Sequence, residues 1–241
     1  MFKCAVNADL FWRANLARSD EATRYYLNGV YVAPHEEGGA IIVGTNGHWL
    51  VAVHDPRGIV EGTAIVSLNK RMVSDLKAAK NDHRSAFGHR TERVLTVGDG
   101  KAMVVLSSVA HTVKMESGSE EVEPRPEVFE RLSNPDKLVV SAQFSDVTID
   151  GTFPDWKRII PDDVDSARPL PAIDPKYLAL AVKAITQDSK GPIRFLPSEN
   201  EMSPVIAVPS NVTLGWSGAA IIMPIRSSSA VSSPTFWKAA K

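Results

Sequence analysis

A unit made of one amphipathic helix followed by several short strands recurs three times along this chain. Apolar residues return at helical spacing in "ADLFWRANLARS", "KRMVSDLKAAK" and "DPKYLALAVKAI". Each of these patterns precedes β-rich runs that turn signals separate, such as Asn28-Gly29 and Asn46-Gly47. The recurrence predicts an α+β protein in which repeated strand-helix-strand meander units place their helices on one face of antiparallel sheets.

Local signals fix several boundaries of these units. Asp174 is a predicted N-cap with Pro175 at the first helical position, and Ser67 or Asn69 offers a cap for the second helix. An acidic, turn-rich stretch at about 116–136 predicts an exposed insertion with one short helix, "EVFERL". The serine-rich end, residues 227–241, has no periodicity and is predicted to be a flexible tail.

Composition excludes several classes of protein. The chain has 241 residues, of which 44% are hydrophobic and 23% charged, as expected of a globular protein. It contains no apolar run near the ~20 residues that span a bilayer, and its first residues do not form a signal peptide pattern. Cys4 is the single cysteine, so no intrachain disulfide forms. We therefore expect a cytoplasmic protein.

No catalytic or metal-binding signature is present in the sequence. The six histidines form no His-x-x-x-His pair, and no nucleophile elbow, phosphate loop or dinucleotide fingerprint occurs. "GDGKAM" is typical of a hairpin turn rather than of a phosphate loop. We therefore expect no enzymatic activity, no cofactor and no metal.

Charge is segregated along the chain, although the net charge is only −1. The acidic residues concentrate in stretches that read as loops, whereas the predicted helices carry lysine and arginine. This distribution predicts a helical face that binds a polyanion through phosphates, without reading sequence. An ordinary solvated helix face is the alternative explanation. The candidate residues are Arg13, Arg18, Lys70, Arg71, Lys77, Lys80, Lys176, Lys183 and Lys190.

Three separated motifs resemble one family, the bacterial DNA sliding clamp, which is the beta subunit of DNA polymerase III. "RYYLNGVYV" followed by "TNGHWLVAV" is similar to a strand and turn of that family's middle domain. "GTFPDWKRIIP" (151–161) looks like the segment that leaves the same domain, and "IIMPIR" (221–226) looks like the end of the last domain. The order and spacing agree, and the resemblance covers most of residues 1–226. It implies the DNA-clamp fold.

The chain is too short for the family's three domains, two copies of which close a six-domain ring. We expect a clamp-type domain at 1–160, a shortened one at 161–226 and the tail at 227–241, with a boundary near 120 as the alternative. The first half of the last domain looks missing or heavily altered. Asn46 and Trp49 replace the family's turn aspartate and following arginine. Two domains per subunit would complete six as a homotrimer, which we expect over a dimer.

The resemblance implies a polymerase processivity factor for DNA replication that encircles duplex DNA and receives short linear peptides of the polymerase and clamp loader in a hydrophobic cleft. Arg24, Tyr25 and Tyr26, placed on a strand, become further DNA candidates. The alternatives are a clamp-fold adaptor that binds clamp partners without a ring and, more remotely, an enzyme using His48. Matched by motif, the cleft residues are Leu27, Thr45, Gly47, His48, Trp49, Leu50, Pro154, Arg158, Ile159, Ile221, Met223, Pro224, Ile225 and Arg226.

Overall fold

The computed structural model describes residues 2–71, 73, 76, 90–98, 101–109, 140–145, 147–160, 171–186, 192–196, 202–210 and 217–225. Helix α1 spans Ala8–Asn15 and helix α2 spans Pro175–Ile185, while residues 70, 71, 73 and 76 are also helical. Short 3-10 helices cover Ala22–Leu27 and Trp156–Ile159. No helix in this part of the chain is long and apolar enough to cross a bilayer.

The strands of the described residues form two sheets in which every pairing is antiparallel. A five-stranded sheet has the order β5-β1-β7-β8-β9, and an eight-stranded sheet has the order β10-β6-β2-β3-β4-β13-β12-β11. This architecture confirms the predicted α+β class. The strand bounds are β1 (Lys3–Asn7), β2 (Val30–Pro34), β3 (Ala40–Thr45), β4 (Trp49–Asp55), β5 (Ile59–Glu61), β6 (Ala64–Val66), β7 (Arg90–Gly98), β8 (Lys101–Val109), β9 (Val140–Ser145), β10 (Thr148–Ile149), β11 (Ile193–Leu196), β12 (Val205–Pro209) and β13 (Ser217–Ile222).

The first two repeats exchange their first strands. Strand β1, which precedes α1, pairs with β7 of the second meander, while β6, which precedes the second helical segment, pairs with β2 of the first meander. Neither repeat is therefore complete without the other. The third repeat, α2 with β11, β12 and β13, joins them through β13, which pairs with β4 and continues the larger sheet.

Side-chain oxygens cap helices α1 and α2 by accepting from free backbone amides. The Asn7 side chain accepts hydrogen bonds from the amides of Asp9 and Leu10 at 2.8 and 3.1 Å, and so caps α1. Asp174 accepts from the Lys176 amide at 2.8 Å, and Pro175 occupies the first position of α2. The cap predicted for α2 is confirmed.

Helix α1 lies unusually close to the larger sheet at Gly44 on β3. A Cβ atom at this position would collide with the backbone carbonyl of Ala14 in α1, so glycine is required by the contact itself. The face of the sheet under the helices, which we call the helix face, carries a large apolar core. The opposite face, which we call the outer face, carries a second apolar cluster.

One local prediction is wrong. Arg24, Tyr25 and Tyr26 were expected on a strand before the Asn28-Gly29 turn, but they belong to the 3-10 helix, and the strand begins only at Val30. The helix predicted at "EVFERL", the insertion at 116–136 and the tail at 227–241 lie outside the described residues, as does the predicted domain boundary at Pro161.

Candidate functional site

The joint between β4 and β13 brings two of the three family-like motifs together. Trp49 pairs with Ile222 and Leu50 with Ile221 in antiparallel register. The pairing continues beyond the strands, because the Met223 amide donates to the carbonyl oxygen of His48 at 3.0 Å. The turn before β4 and the Met-Pro segment after β13 are therefore adjacent.

The turn that precedes β4 is built from side-chain oxygens. The Asn46 side chain accepts from the amides of His48 and Trp49 at 3.0 and 3.3 Å. Thr45 Oγ1 donates to the Trp49 carbonyl at 2.8 Å, and Gly47 adopts the left-handed φ of 87° that the turn requires. The side-chain oxygen of Asn46 thus holds the turn by accepting from both amides. His48, at the end of the turn, is exposed.

The outer face of the eight-stranded sheet carries the aliphatic part of the candidate cleft. Leu50 and Ile221, which face each other across the joint, pack with Val43 and Ile206 in the second apolar cluster. All four are buried. Leu50 and Ile221 consequently form the floor of this region and do not themselves reach the surface.

The third motif packs against the same outer-face cluster, on the side of β2 and β3. Phe153 stacks on Tyr31 of β2 with ring centroids 5.2 Å apart, and Trp156 packs against the same outer-face cluster. An exposed ion pair, Lys157 Nζ to Glu36 Oε1 at 3.2 Å, adds a weak contact to the β2–β3 turn. The structure therefore brings the connector to the same face of the sheet as Leu50 and Ile221, the residues that follow the turn and precede the Met-Pro segment.

The accessible cleft candidates, which we call the rim, lie on the turn, the connector and the Met-Pro segment. Ile159 and Ile225 are large apolar side chains that remain 36% and 49% exposed. Met223 and Pro224 are half-buried. The backbone of Ile225 is held by a hydrogen bond, in which its amide donates to the carbonyl oxygen of Ala172 at 2.8 Å. The other exposed candidates are Gly47, His48, Pro154 and Arg158, and Arg226 lies outside the described residues.

Three cleft candidates belong to the core instead. Trp49 is 1% exposed and lies on the helix face, because adjacent residues of a strand point to opposite faces and Leu50 takes the outer one. The expectation that Trp49 lines the cleft is wrong. Leu27 and Thr45 are also buried, at the end of the first 3-10 helix and under the turn respectively.

Sequence reasoning missed Tyr177, which joins the turn to α2. Its ring stacks near those of His48 and Trp49, with centroids 5.7 and 6.3 Å away. The tyrosine lies in the first turn of a largely apolar helix, where nothing in the sequence distinguishes it from ordinary core packing. The rings of Trp49 and Tyr177 pack together on the helix face.

Four of the polyanion candidates are exposed cations on helices: Lys70, Arg71, Lys176 and Lys183. Lys183 lies over the Trp12 ring, with Nζ 5.6 Å from its centroid, and Lys176 lies at the same distance over Tyr177. Aromatic contacts of this kind hold the stems of the lysines while their charges stay in water. Lys77, Lys80 and Lys190 lie outside the described residues.

The prediction that Arg13 belongs to the polyanion-binding helical face is wrong. It is 0% exposed, and its Nε donates to Asp9 Oδ2 at 2.8 Å. Its Nη1 donates to the carbonyl oxygens of Ala184 and Thr186 at 2.8 and 3.2 Å, at the C-terminal end of α2. The guanidinium therefore ties α1 to α2 inside the molecule and is unable to reach a phosphate.

The remaining candidates around the first 3-10 helix are partly engaged by neighbouring acids. Arg18 pairs with Asp20 at 3.1 Å, and Arg24 forms a bidentate pair with Glu21 at 2.8 to 2.9 Å. Tyr25 is 53% exposed, with the half-buried Tyr26 packed edge-on against it. Of these, Tyr25 is the most accessible side chain.

Among the described residues, no group of three His, Cys, Asp or Glu side chains is placed to hold a metal ion. The thiol of Cys4 is buried in the five-stranded sheet, and this burial raises its pKa to about 12. A thiol with so high a pKa is protonated and unreactive at neutral pH.

The architecture is that of a DNA clamp, as comparison with solved structures shows. No protein-family model matches the chain, and no curated protein matches it in sequence. It is similar in fold to the sliding clamp, DNA polymerase III subunit beta, of Bartonella birtlesii bound to griselimycin, with a TM-score of 0.58 and 16% identity. That match covers 93% of this chain and 66% of the clamp.

Two further clamps give the same result. The Caulobacter crescentus beta sliding clamp matches with a TM-score of 0.53 and 19% identity over 93% of this chain and 65% of that one. The DNA polymerase III subunit beta of Borrelia burgdorferi, in complex with a natural product, matches with a TM-score of 0.55 and 16% identity over 93% and 62%. The chain therefore spans about two thirds of the solved clamps, and at these identities the likeness establishes the fold.

Proposed function

We propose that this clamp-fold protein acts in DNA replication as a non-enzymatic tether, which docks short peptides of DNA-processing partners on its outer face. The single observation that supports the proposal is that the turn and the Met-Pro segment meet at the joint of Leu50 and Ile221, while the connector packs on the same outer-face cluster. These three segments come from distant parts of the sequence, and the motifs that resemble the clamp family lie on them.

The rim has the chemistry of a peptide-docking site. Ile159 and Ile225 offer apolar surface to a leucine or phenylalanine, while His48 and Arg158 offer hydrogen-bonding groups to the peptide's polar positions. Opening of the connector around Trp156 would extend the contact to the floor. The candidate partners are a replicative polymerase and a clamp loader.

Duplex DNA would contact the opposite side of the sheet. Exposed cations of the helices, Lys70, Arg71, Lys176 and Lys183, would bind phosphates without reading bases, as a protein that slides requires. We propose that the chain encircles DNA as a homo-oligomer in the cytoplasm. The trimer expected from domain counting stays a prediction.

Peptide docking is tested by fluorescence anisotropy with a labelled peptide of about ten residues carrying adjacent leucine and phenylalanine anchors. Ile225→Asp should weaken binding about tenfold, because a half-exposed isoleucine buried by the peptide contributes ~1.5 kcal/mol. Met202→Asp is the matched control. Met202 is similarly exposed, at 51%, but lies between β11 and β12, and its replacement should leave the affinity unchanged.

Equal effects of the two substitutions, or no saturable binding by the parent protein, would exclude this docking site. The ring is tested separately by retention on nicked circular DNA against linear DNA of the same length, after loading. A protein that binds the peptide but is never retained on circles would be the non-ring adaptor.

A further inference from the structure

The third repeat follows the construction rules of the first two. In the first repeat the strand before the helix pairs with the segment after the meander, as β1 pairs with β5. The second repeat does the same with β6 and β10. In the third repeat the Ile225 amide, after β13, donates to the carbonyl oxygen of Ala172, before α2, at 2.8 Å. The same local pairing therefore occurs three times.

In the first two repeats this pair of segments lies against the other repeat. The β5-β1 pair lies beside β7, the first strand of the second meander, and the β10-β6 pair lies beside β2, the first strand of the first meander. Each repeat thus donates a strand pair and receives one, which is an approximate two-fold relation. The third repeat has no counterpart of this kind among the described residues.

Strand β11 occupies the position that receives the donated pair. Among the described residues it has one neighbour, β12, and it ends the eight-stranded sheet. The Ser210 amide donates to the Pro192 carbonyl oxygen at 2.9 Å, so the alternation of an antiparallel ladder turns the backbone groups of Ile193 and Phe195 away from β12. An edge of this kind is a template for another strand.

One flank of helix α2 is also less buried than the equivalent flank of α1. Counted from the N-cap, Leu178 and Val182 of α2 correspond to Phe11 and Asn15 of α1. Phe11 and Asn15 are buried, whereas Leu178 and Val182 are only half-buried. The two α2 residues lie four apart and share a flank.

The other flank of α2 is already occupied by α1. Arg13 of α1 donates to the Ala184 carbonyl oxygen, and Lys183 lies over Trp12. The flank of Leu178 and Val182 therefore faces the side on which a partner repeat would lie. It is apolar and adjoins the open edge of the sheet.

We infer that a second copy of this chain covers β11 and the Leu178 flank of α2, so that two third repeats complete one clamp-type domain across a two-fold axis. Each copy would place its 171–173 and 223–225 segments against the β11 edge of the other. A second copy fits because it both donates a segment pair to this β11 edge and offers its own β11 edge to receive one. Such a two-fold contact uses the same surface on both copies and is therefore closed. The inference rests on the fold and does not depend on peptide docking or DNA binding.

The mass of the full chain in solution tests this inference by sedimentation velocity over a range of concentrations. The parent protein should have twice the chain mass of 26.2 kDa or, if dimers join into the proposed ring, a multiple of that dimer mass. Leu178→Glu introduces one carboxylate from each copy into the apolar contact, and should raise the dimer dissociation constant by about 100-fold or more. The control is Ala179→Glu, at the exposed neighbouring position, which should leave the dimer intact.

Hydrogen exchange locates the contact. The amides of Ile193 and Phe195 should be protected in the dimer and should exchange rapidly in the Leu178→Glu variant, whose circular dichroism should match that of the parent. A monomer at all concentrations up to about 100 μM would overturn the inference, even if these amides were protected by the chain's own residues. A dimer or trimer that Leu178→Glu does not weaken would also overturn it, and a trimer would favour the subunit number expected from the sequence.

The 223–225 segment belongs both to the rim and to the proposed contact with the partner's β11, so peptide affinity is measured for the parent and for Leu178→Glu alike. A dimer that binds no peptide would exclude docking and leave this inference standing. A monomeric parent that binds the peptide would do the reverse.

Discussion

Replacement of Arg13 by methionine should destabilise the protein without a matching loss of DNA affinity. The guanidinium is buried, pairs with Asp9, and donates to two carbonyl oxygens at the end of α2. Methionine fills most of the volume but leaves the acid unpaired and those carbonyls without this donor. Removing one partner of a buried ion pair costs about 3–5 kcal/mol.

The lower end of that range applies here. The Asp9 side chain is 30% exposed, so water restores part of its solvation when the arginine is removed. We expect a loss of ~3 kcal/mol in the free energy of unfolding, of which each lost carbonyl hydrogen bond accounts for about 1 kcal/mol. Arg13→Lys should recover only part of the loss, because a single ammonium lacks the forked geometry that reaches both the acid and the carbonyls.

Urea unfolding followed by tryptophan fluorescence measures this loss, which should lower the midpoint by about 1–2 M. The matched control is the double variant Lys176→Met, Lys183→Met, on the same side of the sheet but exposed. It should change stability by no more than about 0.5 kcal/mol per site, yet reduce the salt dependence of DNA binding. A stable Arg13→Met protein with weakened DNA binding would refute the structural role of Arg13.

Two further predictions concern packing and the buried thiol. Gly44→Ala should lower the free energy of unfolding by at least ~2 kcal/mol in a thermal melt, because the added Cβ would collide with the Ala14 carbonyl. The control is Gly38→Ala, which has open space around it but a φ of 88°, and should cost about 1 kcal/mol. Cys4 should resist iodoacetamide at about pH 8 when folded and react fully in urea, since burial raises its pKa to about 12. The folded thiol holds its proton more tightly than the unfolded one, so protonated Cys4 favours the folded state. This contribution to the free energy of unfolding is complete below the unfolded pKa of 9.0 and is lost as the pH rises towards 12. Urea midpoints measured at rising pH would detect the loss.

Sequence reasoning succeeded where the signal was local. The cap at Asp174, the proline that follows it and the Asn-Gly turn at residues 46 and 47 depend on a few consecutive residues. Their backbone preferences act over the same short range, so the sequence predicts them well. The helix-and-meander recurrence predicts the α+β fold for the same reason, because its periodicity is repeated along the chain.

The errors arose where distant residues decide the environment. Arg13 has the spacing of a solvent-exposed helix cation, and its burial depends on carbonyls of α2 that lie 171 and 173 positions away. Trp49 has the position of an arginine in the resembled family, but the parity of β4 and the presence of Tyr177 send it to the helix face. Neither contact can be predicted from the residues adjacent to it in the sequence.

The register between β4 and β13 sets how this molecule can move. Six consecutive residue pairs hold the two strands together, and the rows of apolar side chains on both faces cross that seam without interruption. Bending there would break a ladder and split two cores simultaneously, so the seam is unsuited to be a hinge. The first and third repeats, which this seam joins, should therefore move together as one unit.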